Sequence, residues 1–372
     1  MKAQEHALIL AGGIGARLWP KSRLHRPKQF LRVERGHTLL GKTMTRAQAV
    51  FEKGNIWVVC KPYQVEEVKR QLPELDKSRL IVEPVPRGTA GAVILGAMTI
   101  CRECPEAVIS VFPSDHSIKP TDRFANIIRA GMEWASSNPS IVIYGIRPDS
   151  PETSYGYIET GGTVGQCSSW NCMEVTNFHE KPDPKTARAY FRSNRFLWNS
   201  GMLSFSVNIL RTILEDEAFG VWAPLTKFCE SGIKISRKEV CQIYELLPDD
   251  SFDTAILEKL ARCHSIGPSG LEVNLVVFPC DFEWYDLGIW ESFYRLLPKD
   301  GAGNALSGKV AAVDCRGSLL FSEGDTLVGA IGLQDMVVVC VDNAVLVCPR
   351  RELDRVRELV ELLSEGDYKD YV

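Results

Sequence analysis

Two cations, Arg17 and Lys28, stand at fixed distances behind a glycine turn in LILAGGIGARLWPKSRLHRPKQFL, residues 8 to 31. An apolar strand, Leu8 to Leu10, runs directly into Gly12, Gly13 and Gly15. Glycines at such a turn let the backbone bend tightly and bring its N–H groups against a phosphate chain. The cations can then neutralise a leaving polyphosphate. This chemistry suits an enzyme that handles a nucleoside triphosphate. The glycines by themselves would equally mark a structural turn. They form no Walker loop, since no Gly-Lys-Ser/Thr follows. They form no dinucleotide-binding pattern either, because Leu18 stands where the third glycine belongs.

Two aspartates are candidates for a metal. Asp115 lies in VFPSDHSI, just beyond an apolar strand, and Asp286 lies in WYDLG, between an aromatic pair and a glycine turn. Carboxylates are the usual protein ligands of Mg²⁺, which keeps several waters and takes substrate phosphates as further ligands. Read singly, Asp115 could be a helix N-cap and Asp286 a turn residue. His116 reads as a packing or supporting neighbour of Asp115. Lys181, in FHEKPD, follows a strand and precedes a proline turn, where most lysines are only surface charges.

The first 150 residues set these groups on alternating strands and helices. Strands are expected at His6 to Leu10, Asn55 to Cys60, Leu80 to Val82, Ala107 to Phe112 and Ile141 to Tyr144. Helices lie between them, as at Thr89 to Cys101 and Arg123 to Ser137. Such alternation predicts a mostly parallel sheet with helices on both faces. Ligands of these sheets bind beyond the carboxyl ends of the strands. The glycine loop, Glu83, Asp115 and Gly145 all fall at or after such an end. The middle of the chain, to about residue 295, is less regular, with strands expected at Val175 to His179, Leu203 to Ser206 and Leu275 to Phe278. It reads as the second half of the same domain. Leu297 to Ser307, LPKDGAGNALS, reads as a linker. Beyond Gly308, short strands recur at Val310 to Asp314, Ser318 to Phe321, Thr326 to Ala330, Met336 to Val341 and Ala344 to Val347. A helix follows at Glu352 to Leu363, its Val356, Leu359, Val360 and Leu363 spaced for packing.

Composition narrows the class. A chain of 372 residues holds one large α/β domain and a smaller one. A net charge of −4 without a basic run gives no support to nucleic-acid binding, so phosphate must be held by a local pocket. No apolar run is long enough for a signal peptide or a membrane span, which predicts a cytoplasmic protein. The 12 cysteines are scattered, and Cys101 and Cys104 form a lone C-x-x-C with no second pair. They are expected to be reduced, mostly buried thiols.

With Arg17, Pro20, Ser22, Arg23, Pro27, Lys28 and Gln29 added to the glycines, the opening run resembles the signature of the sugar-nucleotide pyrophosphorylases. Its KQFL ending resembles the mannose-1-phosphate guanylyltransferase branch. The resemblance extends over essentially the whole chain, with six motifs in the family order. It implies a Rossmann-like, mostly parallel α/β nucleotidyltransferase domain over residues 1–297. Over 308–372 it implies a small left-handed β-helix-like domain with a terminal helix. It also implies transfer of GMP from GTP to α-D-mannose 1-phosphate, releasing GDP-mannose and pyrophosphate. The attacking phosphate is already an anion, so positioning and charge neutralisation suffice and no strong base is needed.

The same resemblance distributes the roles. Nucleotide contacts would come from Leu10, Gly12, Gly13, Gly15, Arg17, Glu83, Gly88, Thr89 and Ala90. Asp115 and Asp286 would hold Mg²⁺, or Mn²⁺, since both suit oxygen ligands. Arg17 and Lys28 would stabilise the departing pyrophosphate. Lys181 would hold the sugar phosphate, and Glu180, Gly156, Glu159 and Asn199 would meet the sugar, with Trp198 either lining the pocket or structural. EPVPRGTA, residues 83 to 90, resembles the family's E-P-x-x-R-N-T-A, but Gly88 replaces the asparagine and Gly91 stands where proline is common. A side-chain amide contact is thereby lost, which bears on guanine selectivity. Arg87 is equally a helix-start residue, and Asp253, in SFDTAI, equally a helix cap. A homo-oligomer, a dimer through the C-terminal domain, is implied. Many relatives add a cupin-like isomerase domain, for which this chain is too short, so no isomerase activity is expected. Two alternatives stay open: a pyrophosphorylase for another hexose or heptose 1-phosphate or another nucleotide, and a non-catalytic nucleotide-sugar-binding subunit. The second should have lost Arg17, Lys28 or an aspartate, and none is lost.

Overall fold

The computed structural model describes residues 4–13, 15–32, 36–229, 236–263, 265–266 and 270–372. The chain forms two compact units, each assembled from separate stretches of sequence.

The first unit comprises Met1–Gly12, Thr43–Ser114 and Ile118–Trp284. Its centre is a ten-stranded sheet. Glu5–Leu10 lies in the middle of a parallel block, with Leu10 opposite Val59 on one side and Pro113 on the other. Leu80–Val82 extends this block beyond Ile56–Cys60. All five residues of IWVVC are buried, as expected of a parallel strand covered on both faces. The middle of the chain adds Phe196–Ser206, which runs antiparallel between Val108–Pro113 and Ser140–Ile146. Among the described strands of this sheet, only that one, Trp170–His179 and Ser265–Ile266 oppose the common direction. The sheet is thus mostly parallel, with its antiparallel members concentrated in the second half.

Helix Gly88–Glu103 is buried almost all round, which explains its unbroken run of alanine, valine, isoleucine and leucine. Helix Thr121–Ser137 is amphipathic and buries Phe124, Ile127 and Ile128. The hairpin Tyr157–Cys167 with Trp170–His179 extends beyond its expected strand, because the glycines of TGGTVG lower strand propensity without preventing pairing. Gly145 stands near the end of its strand, as expected of it. It lies inside Ser140–Ile146 and packs against Leu197 and Val277.

Cys101 corrects an expectation. It is bonded to Cys229, 128 residues away, with Cα atoms 5.3 Å apart. This disulfide joins helix Gly88–Glu103 to the 3₁₀ segment Glu217–Cys229. Cys104, its C-x-x-C neighbour, remains a free thiol. Sequence spacing carries no trace of a pairing created by packing of two distant elements.

The second unit comprises Gly13–Lys42, Asp115–Ser117 and Tyr285–Val372. Its C-terminal strands form a coil of parallel ladders. Ala305–Ser307, Leu319–Glu323 and Met336–Val341 stack on one side. Val310–Val313 and Val328–Ile331 stack on another, and Arg316 bridges Gln334 on a third. This is the β-helix-like arrangement that the strand spacing suggested. Ala305–Ser307 supplies its first rung, so the expected linker ends earlier than its composition implied. Alternation along Leu319–Glu323 turns Leu320 into the coil with Cys315 and Ala330, and turns Leu319 and Phe321 outward.

That outward face is covered by Leu18, Trp19 and Leu31 from the N-terminal segment and by Trp290 and Phe293. Each such fully buried side chain contributes about 1.5–3 kcal/mol. Segment 13–42 therefore belongs with the C-terminal coil, and a division by chain order separates what packing joins. The terminal helix runs Val356–Glu365 after a 3₁₀ turn, Arg350–Arg355. Its Val356 and Val360 are buried in the same core, in agreement with the packing role.

Candidate active site

In the second unit the glycine loop and Lys28 shape each other. Gly15 has φ +80°, and a Cβ there would lie 2.7 Å from the stem of Lys28. Only glycine permits both the backbone conformation and the crossing side chain. Lys28 begins a 3₁₀ turn, Lys28–Phe30, entered from Pro27. Its Nζ forms an ion pair with Asp115 Oδ2, and both side chains are largely buried.

Asp115 is no helix cap, because the strand His116–Lys119 follows it. Asp286 closes the strand Glu283–Asp286. The N–H of Leu287 donates to the Asp115 carbonyl at 3.3 Å, so the two aspartate segments are bonded together. Burial opposes the charge on Lys28, but Asp115 and then Asp286 outweigh it and raise the ammonium pKa. Burial would likewise raise the Asp115 pKa, yet Lys28, with His116 nearby, holds that carboxyl below its ordinary range. His116 Nε2 lies 4.0 Å from Asp115 Oδ1, which fits its supporting role. Arg17 adds a repulsive charge at Lys28. Asp286 Oδ1 is buried without a hydrogen-bond partner. Two carboxylates, one with an unengaged oxygen, beside two cations form a cluster that can bind a divalent ion and phosphate together.

The first unit holds the other candidates in two groups. Around the start of helix Gly88–Glu103, Glu83 is buried with Oε1 unpartnered. Burial, followed by the opposed effects of Lys61 and Asp249, pushes its carboxyl up to about 7. A Cβ on Gly12 would lie 3.5 Å from Glu83 Oε2 and 3.7 Å from Lys61 Cε, so these three adjoin. The carbonyl of Leu10 accepts from Ser114 N–H at 3.2 Å.

Gly88 has φ +60°, and the space where its side chain would go is filled by the Asp250 backbone. The N–H of Ala90 donates to the Asp250 carbonyl at 3.2 Å, and Thr89 Oγ1 accepts from Phe252 N–H at 2.9 Å. These groups are thus engaged by the chain itself. Arg87 is more than a helix-start residue. Its guanidinium donates to the carbonyls of Tyr244 and Glu245, at 2.9 and 2.7 Å, where a cation suits the end of helix Arg237–Glu245. Gly91 leaves room for Tyr244, whose hydroxyl would lie 3.2 Å from a Cβ there.

The second group gathers Gly156, Glu180, Asn199 and Asp253. The Asn199 N–H donates to the Gly156 carbonyl at 2.8 Å, and a Cβ on Gly156 would lie 2.8 Å from Glu180 Oε2. Asn199 Nδ2 donates to Asp253 Oδ1 at 2.7 Å. Asp253 is therefore not the helix cap. Ser251 is, its Oγ accepting from Thr254 N–H at 3.0 Å. Burial and then the charge of Glu180 push the Asp253 carboxyl up to about 6. Lys181 has φ +42°, rare for a side-chain-bearing residue, and its Nζ pairs with Glu180 Oε1 at 2.5 Å. Glu159 is not drawn into this group, since its carboxylate pairs with Arg195 at 3.5 Å. Trp198 is buried, with Tyr155 edge-on at 5.1 Å, and fills a packing role. Lys61, Tyr244 and Asp250 gave no sequence signal, because each acts through a fold contact rather than a motif.

A family model described as nucleotidyl transferase matches residues 6–302, and the mannose-phosphate isomerase/GMP-like β-helix domain matches residues 308–363. The chain belongs to the nucleotidyl transferase family. It is 34% identical to a mannose-1-phosphate guanylyltransferase of Escherichia coli, over 98% of this chain and 75% of that protein. It is 33% identical, with the same coverage, to a mannose-1-phosphate guanylyltransferase of Klebsiella pneumoniae. A crystal structure from Thermus thermophilus, described as a mannose-1-phosphate geranyltransferase, superposes with a TM-score of 0.81 at 30% identity. The match covers 97% of this chain and 99% of that one. No helix among the described residues is long and apolar enough to cross a membrane.

Proposed function

We propose that the chain transfers GMP from GTP to α-D-mannose 1-phosphate, giving GDP-mannose and pyrophosphate. The observation that carries this reading is the buried Lys28–Asp115 pair beside the unengaged oxygen of Asp286, set directly behind the glycine loop. The relatives named for this activity choose the substrates. A sugar-phosphate oxygen attacks the α-phosphorus of GTP, and pyrophosphate departs. Lys28 and Arg17 bind its negative charge as it leaves. Lys181 orients the attacking phosphate, while Glu180, Asn199 and Asp253 bind sugar hydroxyls. Glu83 and the backbone around Gly12 meet the nucleotide.

Asp115 and Asp286 would hold Mg²⁺ or Mn²⁺. The pair fits an ion that takes one or two carboxylates and completes its shell with water and phosphate oxygens. Such an ion supplies charge neutralisation of the triphosphate. The same reading places the chain in the cytoplasm, where GTP is made. It also makes the chain a homo-oligomer through the coil, whose Val313, Ile331 and Val347 are exposed.

The test is pyrophosphate release with Mg²⁺, pairing GTP, ATP, UTP and dTTP each with mannose 1-phosphate and glucose 1-phosphate. Release chiefly from GTP with mannose 1-phosphate is expected. Preference for another pair would replace the named substrates, and silence in a folded protein would refute the named reaction and leave another sugar 1-phosphate or the binding-subunit alternative.

A further inference from the structure

The segment between the two phosphate-facing cations, Trp19 to Pro27, is tied internally, as by the paired backbone bonds of Arg23 and Arg26, and is also fastened to the coil. Its lysine and two arginines reach into the coil. Lys21 is only 4% exposed, yet its Nζ forms an ion pair with Glu323 and lies 4.9 Å from the ring centre of Phe321. Arg23 Nη2 donates to Asn343 Oδ1 at 2.9 Å, while its Nε donates to the Pro20 carbonyl at 3.2 Å. Arg26 Nη2 donates to Asp342 Oδ2 at 3.0 Å, and its Nε donates to the Lys21 carbonyl at 3.1 Å.

Glu323 ends the strand Leu319–Glu323, and Asp342 and Asn343 form the turn after Met336–Val341. These strands are parallel neighbours, with Glu323 opposite Val341. The three acceptors therefore belong to two stacked turns of one ladder. Trp19 fixes the near end of the segment. Its carbonyl accepts from Trp290 Nε1 at 2.9 Å, and its own Nε1 donates to the Tyr371 carbonyl at 2.7 Å.

We infer that Glu323, Asp342 and Asn343 are positioning residues for the pyrophosphate-binding cations, acting through Lys21, Arg23 and Arg26. Arg17 and Lys28 sit at the two ends of the clamped segment, so its position sets theirs. A buried ammonium tolerates its surroundings only while its carboxylate is present. Without Glu323, Lys21 must move toward water and take the segment with it. A displacement of about 1 Å in a catalytic constellation is enough to lower turnover about a hundredfold. The inference rests on Arg17 and Lys28 being the pyrophosphate ligands of the proposed reaction.

The test uses the full chain as wild type, Glu323→Gln, Glu323→Asp and Asp342→Asn. The probe is inorganic pyrophosphate with Mg²⁺, titrated calorimetrically, alongside the KM for mannose 1-phosphate. Glu323→Gln should weaken pyrophosphate binding roughly tenfold and leave the mannose 1-phosphate KM within about twofold, while Glu323→Asp, which keeps the charge, restores binding. Asp342→Asn should show the same split in smaller measure, and it serves if Glu323→Gln does not fold. Unchanged pyrophosphate affinity in both variants would overturn the inference alone. So would equal losses on the pyrophosphate and sugar-phosphate sides, which a merely structural role produces. A wild type that neither binds nor releases pyrophosphate would refute the proposed function first, and this inference with it.

Discussion

Restoring the family's asparagine at position 88 should damage the protein rather than improve it. A Cβ at Gly88 would lie 1.9 Å from the Asp250 carbonyl oxygen, 2.5 Å from its carbon and 2.8 Å from its nitrogen. These are backbone atoms, so no rotamer change relieves the overlap, and segment 249–251 must retreat. Two bonds go with it: Ala90 N–H to Asp250 and Phe252 N–H to Thr89. Each is worth about 1 kcal/mol net. The left-handed backbone at φ +60° adds about 1 kcal/mol for a residue with a side chain. Gly88→Asn should therefore cost about 3 kcal/mol, which lowers the melting temperature by roughly 6–12 °C for a unit of this size. Circular dichroism melts, run beside the KM for GTP, measure both effects. A melting temperature within about 2 °C of wild type together with a lower GTP KM would refute the argument, because Asp250 would then not occupy that space.

Glu83 makes stability depend on pH. Its folded pKa of about 7 lies above the ordinary 4.5, so the folded state binds the proton more tightly. The contribution of Glu83 is fully present below about 4.5 and is lost as pH rises through 7, by about 3 kcal/mol at 1.36 kcal/mol per pH unit. Urea unfolding across pH should show a stability difference between wild type and Glu83→Gln that changes by this amount from acid to alkaline pH, and parallel curves would remove Glu83 as its source. Asp253→Asn should raise the sugar-phosphate KM about tenfold with the GTP KM unchanged, through loss of a charge-assisted bond to Asn199. Equal rises in both constants would make Asp253 a support of the fold only. Alkylation of the unreduced, denatured protein should add two fewer groups than alkylation after reduction, and mapping should identify Cys101 and Cys229. A full complement without reduction would show that this disulfide does not form.

The sequence announced most readily those features that are local. The apolar runs at 6–10 and 56–60 form strands because nearly every side chain in them must be buried, and both bounds agree within a residue. That Asp115 and Asp286 stand near strand ends was legible in the sequence, and the structure sets Asp115 between two strands and Asp286 at the end of one. What stayed illegible depends on distant approach. Glycine at 88 looked like the loss of a contact, whereas Asp250, 162 positions further on, requires it. For Asp253 the sequence leaves the motif role and the cap open equally, and the Asn199 amide that donates to its carboxylate lies 54 positions away. The Cys101–Cys229 bond has no local correlate at all.

The interleaved second unit also imposes an order on synthesis. Lys21 leaves the ribosome among the first residues, but Glu323 follows it by 302 positions. At about 5–20 residues per second, that interval is roughly 15–60 s. The first unit has most of its strands by then, while segment 13–42 has no coil to cover. The residues proposed to bind triphosphate, Arg17 and Lys28, are among the first made and the last to be seated. A ribosome that stalls before the coil is complete would therefore release a chain in which this segment, with its Leu18, Trp19 and Leu31, still presents apolar surface for chaperones to hold.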